Sequence, residues 1–158
     1  MIEIVNFIEN EYCDELIKIH KQHCDTEVEP FEQRPYYVNG KFPDIEHKVE
    51  KICRQLSPLA QLETTAIVHW SPGSYMKPHY DHPQDLFAAI LYLNDDYMGG
   101  QTCFDGIEIQ PEKGKLFLFS SCGVKHWVNM VCESDRYTLG FWITKTNSNI
   151  YVPGINTR

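Results

Sequence analysis

The sequence predicts a mainly β fold of the α+β class, a jelly roll of about eight core strands that N-terminal helices support on one face. Apolar residues recur at helical spacing in the first third of the chain. From about residue 62, short β-rich runs follow one another between turn signals. Neither a repeat nor a linker divides the 158 residues. We therefore predict one domain over 1–158, helical to about residue 60, with a jelly-roll core over about 61–145.

Two helices are predicted before the β region. The first covers "NEYCDELIKIHKQHCD", where Asn10 is expected to cap the start. Its predicted apolar face recurs at helical spacing and comprises Tyr12, Leu16, Ile19 and His23. The second covers "PDIEHKVEKICRQLSP", with one proline near its start and another just beyond its end. Its predicted stripe comprises Ile45, Val49, Ile52 and Leu56.

The segment between these helices is predicted to be irregular. It reads "TEVEPFEQRPYYVNGKF", with two prolines, a glycine and several aromatic residues. Long loops without secondary structure are uncommon in small domains, and they are often functional. A loop that simply packs on the domain is an equally good interpretation of the same residues.

Eight short candidate strands follow, with turn signals at Pro72-Gly73, Gly99-Gly100, Asp105-Gly106 and Gly114. They are "LETTAIVHW", "YMKPHYD", "DLFAAILYLN", "QTCFD", "GIEIQ", "KLFLFS", "HWVNMV" and "RYTLGFWI". Asp105-Gly106 stands between two of them and predicts a tight hairpin, because this dipeptide tolerates the positive φ angles of such turns. Eight short strands after a helical start favour a double-sheet jelly roll.

Composition and charge exclude some function classes. The net charge of −8 argues against general binding to nucleic-acid backbones, which requires a basic surface. The N-terminus is acidic where a signal peptide would be basic, and no apolar run approaches the roughly 18 residues that span a bilayer. We expect a cytoplasmic protein without a membrane segment. The six cysteines form no C-x-x-C pair, which favours reduced core thiols over a zinc site or disulfides.

The stretch "KPHYDHP" raises the question of a metal site. On a strand, His79 and Asp81 at i and i+2 point to the same side of the sheet. His126 in "GVKHWVN" opens another predicted strand and offers a third ligand. Two imidazoles and a carboxylate form the facial triad of non-haem Fe(II) oxygenases, which leaves coordination positions open. By itself H-x-D is a common pattern, and a solvated polar strand edge also accounts for it.

A charged residue in the last predicted strand strengthens the metal interpretation. Alternate residues of "RYTLGFWI" share one face, and they are Arg136, Thr138, Gly140 and Trp142. An arginine that faces the interior is costly unless it meets an anion, and a carboxylate would pair with it through two hydrogen bonds. Tyr92, in the otherwise apolar "AAILYLN", either adds a second donor or is a core aromatic.

The stretch from Trp70 to Trp142 resembles the prolyl 4-hydroxylase branch of the 2-oxoglutarate/Fe(II) dioxygenases. The similarity lies in "PHYD", "LYLND", "GGQTCF", "PEKGKLFLF", "KHWV" and "RYTLGFW", which occur in the family's order and with family-like spacing. The resemblance covers nearly half of the chain. It implies a double-stranded β-helix, which is a form of jelly roll, and a dioxygenase activity.

The resemblance also implies a set of cofactors. His79, Asp81 and His126 would bind Fe(II) as the catalytic metal ligands. The cosubstrates would be 2-oxoglutarate and O2, and ascorbate would serve as reductant. Succinate and CO2 would be released with the hydroxylated product.

Further residues acquire roles from the resemblance. Arg136 would hold the distal carboxylate of 2-oxoglutarate, Tyr92 and Thr138 would assist, and Trp142 would line the pocket. Arg136 stands where collagen-type enzymes have lysine and is similar to the oxygen-sensing type. This difference leaves the target protein open.

The substrate that the resemblance favours is a peptidyl proline, so the expected partner is a proline-containing protein or peptide. Four residues are predicted to contact it, and they are Tyr75 together with Arg34, Tyr36 and Tyr37 of the early segment. Free proline is one alternative. An alkylated nucleobase is another, although that family has a second arginine six residues after the first, where this chain has Trp142. A cupin-like metal-binding module without oxidase activity would keep the triad but would not need Arg136.

Overall fold

Two helices and twelve strands form the part of the chain that the computed structural model describes, residues 1–24 and 33–146. The helices are α1 (Asn10–His23) and α2 (Pro43–Leu56). The strands are β1 (Ile2–Ile4), β2 (Gln33–Tyr37), β3 (Ala60–Trp70), β4 (Met76–His79), β5 (Asp85–Tyr92), β6 (Met98–Gly99), β7 (Thr102–Phe104), β8 (Ile107–Ile109), β9 (Leu116–Ser120), β10 (His126–Val128), β11 (Val131–Cys132) and β12 (Arg136–Lys145).

The strands pair in antiparallel fashion into two main sheets that face each other. The larger sheet has six strands in the order β1-β9-β5-β12-β3-β2, and the smaller has four in the order β4-β10-β7-β8. A third pair joins β11 to β6. Apolar side chains of both main sheets meet between them, as Phe104 of the smaller sheet packs against Phe117 and Phe119 of the larger. This arrangement confirms the predicted jelly roll, in which helices support one face.

Strand β12 divides the molecule into two layers because its side chains alternate. One set packs toward the helices and comprises Tyr137, Leu139, Phe141 and Ile143. The other set, which begins with Arg136, turns toward the space between the two sheets. The four residues predicted to share a face therefore do so.

The apolar face predicted for α2 is buried at the start of the helix, but at its end a different residue is buried from the one predicted. Ile45 and Val49 are buried in the core with the large sheet. Cys53 is buried next, whereas Leu56 is the last helical residue and is 51% exposed. Positions i, i+4 and i+8 keep the buried face in line with the sheet, and the helix ends before Leu56 can reach it.

The start and the buried face of α1 differ from the prediction. Glu9, which is extended with φ −71° and ψ 150°, precedes the helix, and Asn10 is its first residue, so Asn10 does not cap it. Leu16 is buried as predicted, and Tyr12 and Ile19 pack partly buried against the core. Cys13 and His20 are buried as well and were not predicted. His23 is instead exposed and stacks on Tyr36 at 4.7 Å between ring centroids.

Part of the segment predicted to be irregular forms an edge strand. Strand β2 pairs with β3, and Pro35 stands opposite Val68. A proline is tolerated there because β2 lies at the end of the sheet order and has a neighbour on one side only. Residues 25–32 of the same segment lie outside the described part of the chain. The predicted hairpin is confirmed, since Phe104 pairs with Ile107 across Asp105-Gly106.

A buried histidine joins α1 to the edge of the large sheet. His20 donates its Nε2–H to the backbone carbonyl of Arg34 at 2.8 Å. Its ring meets those of His69 and Tyr137 edge-on, each at 5.7 Å between centroids. Burial lowers the pKa of His20, and the charges of His69 and Arg34 lower it further. The hydrogen bond to the Arg34 carbonyl acts in the opposite direction but is a smaller effect than burial.

None of the helices in the described residues is long and apolar enough to cross a membrane. The predicted core thiols are present in part, because Cys13, Cys53 and Cys103 are buried. Burial raises the pKa of the Cys13 thiol to about 11 and that of Cys53 to about 12, so both remain protonated at neutral pH. These cysteines act as small apolar residues of the core.

The depressed pKa of His20 makes folding stability depend on pH. The unfolded chain binds a proton at this histidine near pH 6.5, whereas the native state resists it, so stability is full above that pH and falls below it. We expect the His20→Gln variant, which keeps an N–H donor, to lose less stability than the wild type between pH 7.5 and 5.5. The difference in slope is at most about 1.4 kcal/mol per pH unit. Urea unfolding at the two pH values measures it.

The matched control is His47→Gln, because His47 lies exposed on α2. Its unfolding free energy should follow the wild type at both pH values. Equal pH dependence of His20→Gln and the wild type would contradict the role of His20.

Candidate active site

Three side chains converge between the two sheets at the edge of the smaller one. His79 ends β4 and pairs directly with His126, the first residue of β10, so their rings lie 4.3 Å apart between centroids. Asp81 follows the strand rather than lying in it, which corrects the assumption that both members of H-x-D are on one strand. Its Oδ1 nevertheless stands 3.6 Å from Nε2 of His79 and 3.5 Å from Nε2 of His126.

Backbone carbonyls fix the orientation of both histidine rings. Nδ1–H of His79 donates to the carbonyl of Lys77 at 2.8 Å, and Nδ1–H of His126 donates to that of Val124 at 3.1 Å. Each Nε2 is thereby directed toward Asp81, and carbonyl partners orient the rings of metal-binding histidines in the same way. The three potential ligand atoms therefore converge on one point.

The cluster fits a divalent cation. Burial raises the pKa of Asp81 while the two histidines lower it, and its Oδ2 is buried without a hydrogen-bond partner. Ligand atoms that bind one ion at near-right angles would stand about 3 Å apart, close to the spacing seen here. Two nitrogens and one oxygen suit Fe(II) and leave the rest of an octahedron free. Among the described residues, no other cluster of histidine, cysteine and carboxylate atoms converges in this way.

His82, the other histidine of the motif, lies apart from this cluster. It is exposed, and its Nδ1 accepts the backbone N–H of Gln84 at 3.3 Å. It helps to form the turn that leads into β5, because its own N–H bonds to the Asp85 carboxylate. This agrees with the expectation of a loop histidine.

A cavity of about 270 Å³ opens beside the three residues and is lined by both sheets. His79, Asp81 and His126 contribute from the smaller sheet and the loop after it, and β12 contributes from the larger sheet. Most of the remaining wall is apolar, and it includes Val68, Ala88, Ile90, Phe119 and Val128. A larger cleft of about 480 Å³ near α1 is lined by charged residues such as Asp14, Lys21 and Asp135 and contains none of the predicted site residues.

Arg136 brings a positive charge to the cavity, and among residues 1–24 and 33–146 it has no counter-ion. Its side chain is 1% exposed, and Nε and both terminal nitrogens lack hydrogen-bond partners. The guanidinium carbon lies 4.7 Å from the Trp70 ring centroid and 5.6 Å from that of Tyr92. Ring faces attract a cation but do not replace the hydrogen bonds of water. A carboxylate that entered the cavity would supply both charge and acceptors.

The rest of the β12 face shapes the same cavity. Thr138, Gly140 and Trp142 all line it, as their shared face predicts. The Trp142 indole folds back over Gly140, where a Cβ would stand 2.9 Å from the indole Cη2. Glycine is therefore required at position 140 if the indole is to lie along the strand.

Tyr92 lies behind Arg136, and the residues that line the cavity do not include it. Its ring is fully buried, and its hydroxyl is hydrogen-bonded to Oγ1 of Thr102 at 3.0 Å. Thr102 itself lines the cavity and was not singled out by the sequence, although it belongs to the "GGQTCF" motif. Trp70 was missed as well. Its pairing with Arg136 across β3 and β12 could have been found by aligning the two strands.

None of the four predicted substrate residues is among those that line the cavity. Arg34, Tyr36 and Tyr37 lie on β2, where Tyr36 contacts His23 and Lys41 and Tyr37 is 62% exposed. Tyr75 is 45% exposed and lines an adjacent groove, which shares Met76 and Val128 with the cavity. A role for these residues in substrate binding stays a prediction.

Comparison with known families gives a match over the jelly-roll region. The model of the 2OG-Fe(II) oxygenase superfamily matches residues 65–144, which include the cluster and Arg136.

Two curated relatives are similar over parts of the chain. "Probable prolyl 4-hydroxylase 11" of Arabidopsis thaliana is 26% identical over 96 residues, which are 54% of this chain and 35% of the relative. "Prolyl 3-hydroxylase 2" of Homo sapiens is 33% identical over 66 residues, which are 37% of this chain and 9% of the relative. The chain thus spans about a third of the plant protein that it matches.

A solved structure shows the same fold over most of the chain. The viral collagen prolyl hydroxylase of Paramecium Bursaria Chlorella virus-1, in complex with 2OG, superposes with a TM-score of 0.76 at 19% identity. The superposition covers 92% of this chain and 96% of the viral one.

The geometry predicts that Asp81 is essential for metal binding. We expect the Asp81→Ala variant to lose measurable Mn(II) affinity, because two histidines alone leave the ion without a charged ligand. Titration followed by electron paramagnetic resonance measures free Mn(II) directly. Circular dichroism should show an unchanged fold.

His82→Ala is the matched control, since His82 is the nearest histidine outside the cluster. This variant should bind one Mn(II) per chain with wild-type affinity. Retention of Mn(II) by Asp81→Ala, or its loss in His82→Ala, would contradict the assignment of the ligands.

Proposed function

Because the chain belongs to the 2OG-Fe(II) oxygenase superfamily, we propose that it is a 2-oxoglutarate- and Fe(II)-dependent dioxygenase that hydroxylates prolyl residues of a polypeptide. One observation carries the proposal. A buried, unpaired arginine lines the same cavity as a His-Asp-His cluster, so the cavity has one site for a cation and one for a carboxylate. A metal-binding module without a cosubstrate would have no use for the buried arginine.

Nε2 of His79, Nε2 of His126 and Oδ1 of Asp81 would hold the iron. An Fe(II) ion held there would supply the chemistry by which O2 oxidises 2-oxoglutarate to succinate and CO2 and converts an unactivated C–H bond to C–OH. The chain contributes orientation. The carbonyls of Lys77 and Val124 keep both imidazole rings turned toward the metal position through the Nδ1–H bonds.

Arg136 would bind the distal carboxylate of 2-oxoglutarate. Two parallel N–H···O bonds fix both the distance and the plane of a carboxylate, which a single lysine ammonium does not. Thr138, two residues further along β12 and on the same side, is placed to donate its hydroxyl to the same molecule. When Arg136 binds the distal carboxylate, the 2-oxo acid group at the opposite end of 2-oxoglutarate would be directed toward the His-Asp-His cluster.

The apolar wall of the cavity would keep bulk water from the reacting atoms. Val68, Ile90 and Phe119 line it with side chains that form no hydrogen bonds with water. The Trp142 indole, folded over Gly140, narrows the space that a substrate enters. A ring C–H held in this space is presented in one orientation, which favours attack at one carbon.

Several observations support a prolyl substrate. The relatives bear the names of a prolyl 4-hydroxylase and a prolyl 3-hydroxylase, and the 4-hydroxylase match covers more of the chain, which favours the C4 position. The net charge of −8, together with Trp142 in place of a second arginine, speaks against a nucleobase in a nucleic acid. Ascorbate as reductant and a cytoplasmic location stay predictions from the sequence.

The Arg136→Ala variant should need at least about a hundredfold more 2-oxoglutarate for half-saturation. Loss of one partner from a buried charge pair costs about 3–5 kcal/mol. Mn(II) affinity should change little, because Arg136 is not a metal ligand. Succinate release against 2-oxoglutarate concentration measures the effect.

Arg54→Ala is the control, since Arg54 lies on the surface of α2 and pairs with Glu50. Its saturation curve should coincide with that of the wild type. A wild-type curve for Arg136→Ala would place the carboxylate site elsewhere.

Proline-containing peptides should stimulate succinate release and gain 16 Da, whereas free L-proline should do neither. A matched peptide set with 4-hydroxyproline at the target position blocks the expected carbon and should abolish the mass gain. Mass spectrometry of each reaction gives the readout. Oxidation of free proline alone would refute the polypeptide substrate but retain the chemistry, and turnover of an alkylated nucleobase instead would refute the prolyl assignment.

A further inference from the structure

Tyr97 lies beside Arg136 with a buried hydroxyl that has no hydrogen-bond partner. The residue is 9% exposed, and it packs among the apolar residues around Trp70. Its hydroxyl oxygen and the three guanidinium nitrogens of Arg136 are all buried and unpartnered. Native proteins rarely bury such groups unpaired, so their occurrence together points to a common missing partner.

Gly100 shows how closely the two side chains approach. A Cβ at this position would stand 2.9 Å from Cδ of Arg136 and 2.9 Å from Cε2 of Tyr97. Its φ of +64° also favours glycine. The glycine backbone therefore packs against both side chains at once, so Tyr97 and Arg136 lie on the same side of it.

The other tyrosine near Arg136 has its hydroxyl occupied. Tyr92 is hydrogen-bonded to Thr102. The Tyr97 hydroxyl has no such bond to a neutral side chain, and Arg136 lies close enough for its charge and a side-chain hydrogen bond to lower the pKa of Tyr97 against the effect of burial. Among the described residues that adjoin Arg136, Tyr97 therefore offers a hydroxyl that is directed at the guanidinium.

We propose that Tyr97 is a positioning residue for the distal carboxylate of 2-oxoglutarate, with its hydroxyl oxygen accepting one N–H of Arg136. The inference rests on the proposed use of 2-oxoglutarate. A guanidinium has five N–H groups, and a carboxylate bound through two of them leaves three without an acceptor. Tyr97 takes one of these, which fixes the rotation of the guanidinium plane that the carboxylate meets.

The hydroxyl is suited to this role because it stays protonated. Burial raises the pKa of Tyr97 far above its ordinary value, and this outweighs the nearby Arg136 charge, which lowers it. The residue is therefore a neutral donor and acceptor throughout the neutral pH range. It does not compete with the dicarboxylate as an anion.

Two 2-oxo acids of equal length separate a carboxylate-specific role from simple packing. The full chain is loaded with Mn(II), and the affinities for 2-oxoglutarate and for 2-oxopentanoate, which lacks the distal carboxylate, are measured by calorimetry. Tyr97→Phe should weaken 2-oxoglutarate binding about tenfold, equivalent to about 1.4 kcal/mol. Its affinity for 2-oxopentanoate and its Mn(II) affinity should equal those of the wild type.

Tyr137→Phe is the matched control, because Tyr137 is buried next to Arg136 in sequence but faces the helices. It should bind both acids as the wild type does. In an Arg136→Ala background, Tyr97→Phe should cause no further loss, since the positioning role acts through Arg136.

Three outcomes overturn the inference while the proposed function survives: an unchanged affinity of Tyr97→Phe for 2-oxoglutarate, an equal loss for both acids, or a full tenfold loss in the Arg136→Ala background. A wild-type protein that binds the two acids equally overturns the proposed function and this inference with it.

Discussion

The buried guanidinium of Arg136 is the constraint on which the arrangement of the site depends. A cation that is 1% exposed and has three unpartnered nitrogens is costly to fold around. The protein surrounds it with the ring faces of Trp70 and Tyr92, and it keeps Gly100 where any side chain would collide with its arm. None of these contacts neutralises the charge. The fold thus retains a desolvated guanidinium, and only a bound carboxylate would offset the cost of burying it.

The two-layer construction makes such a site possible. β12 runs through the middle of the large sheet, and one of its faces is sealed by the core that includes Leu139 and Phe141 and by the helices. That burial stabilises the strand enough for its other face to carry polar groups. The metal cluster belongs to the smaller sheet and the loop after it, so cation site and carboxylate site are held by different sheets. Their separation is set by the spacing of the sheets across the cavity.

The local sequence pattern was sufficient to predict which residues share a face when all of them lie on one strand. The alternation in "RYTLGFWI" correctly grouped the residues of the cavity face. The local pattern could not predict contacts between side chains that lie on different helices or strands. His20 and His69 had no spacing that related them, yet the packing of α1 on the sheet brings them together. β2 was missed because Pro35 speaks against a strand unless the edge position is known.

The jelly-roll class, the three metal-ligand candidates and the arginine were predictable from the sequence, because alternation, turn residues and motif spacing are properties of the chain. Packing was needed to show that Asp81 reaches the cluster from outside the strand, and that Tyr92 lies behind Arg136 with its hydroxyl bonded to Thr102. Packing also brings Tyr97 and Arg136 to the same side of Gly100. Such contacts depend on how two sheets pack, and packing joins residues between which the chain prescribes no spacing.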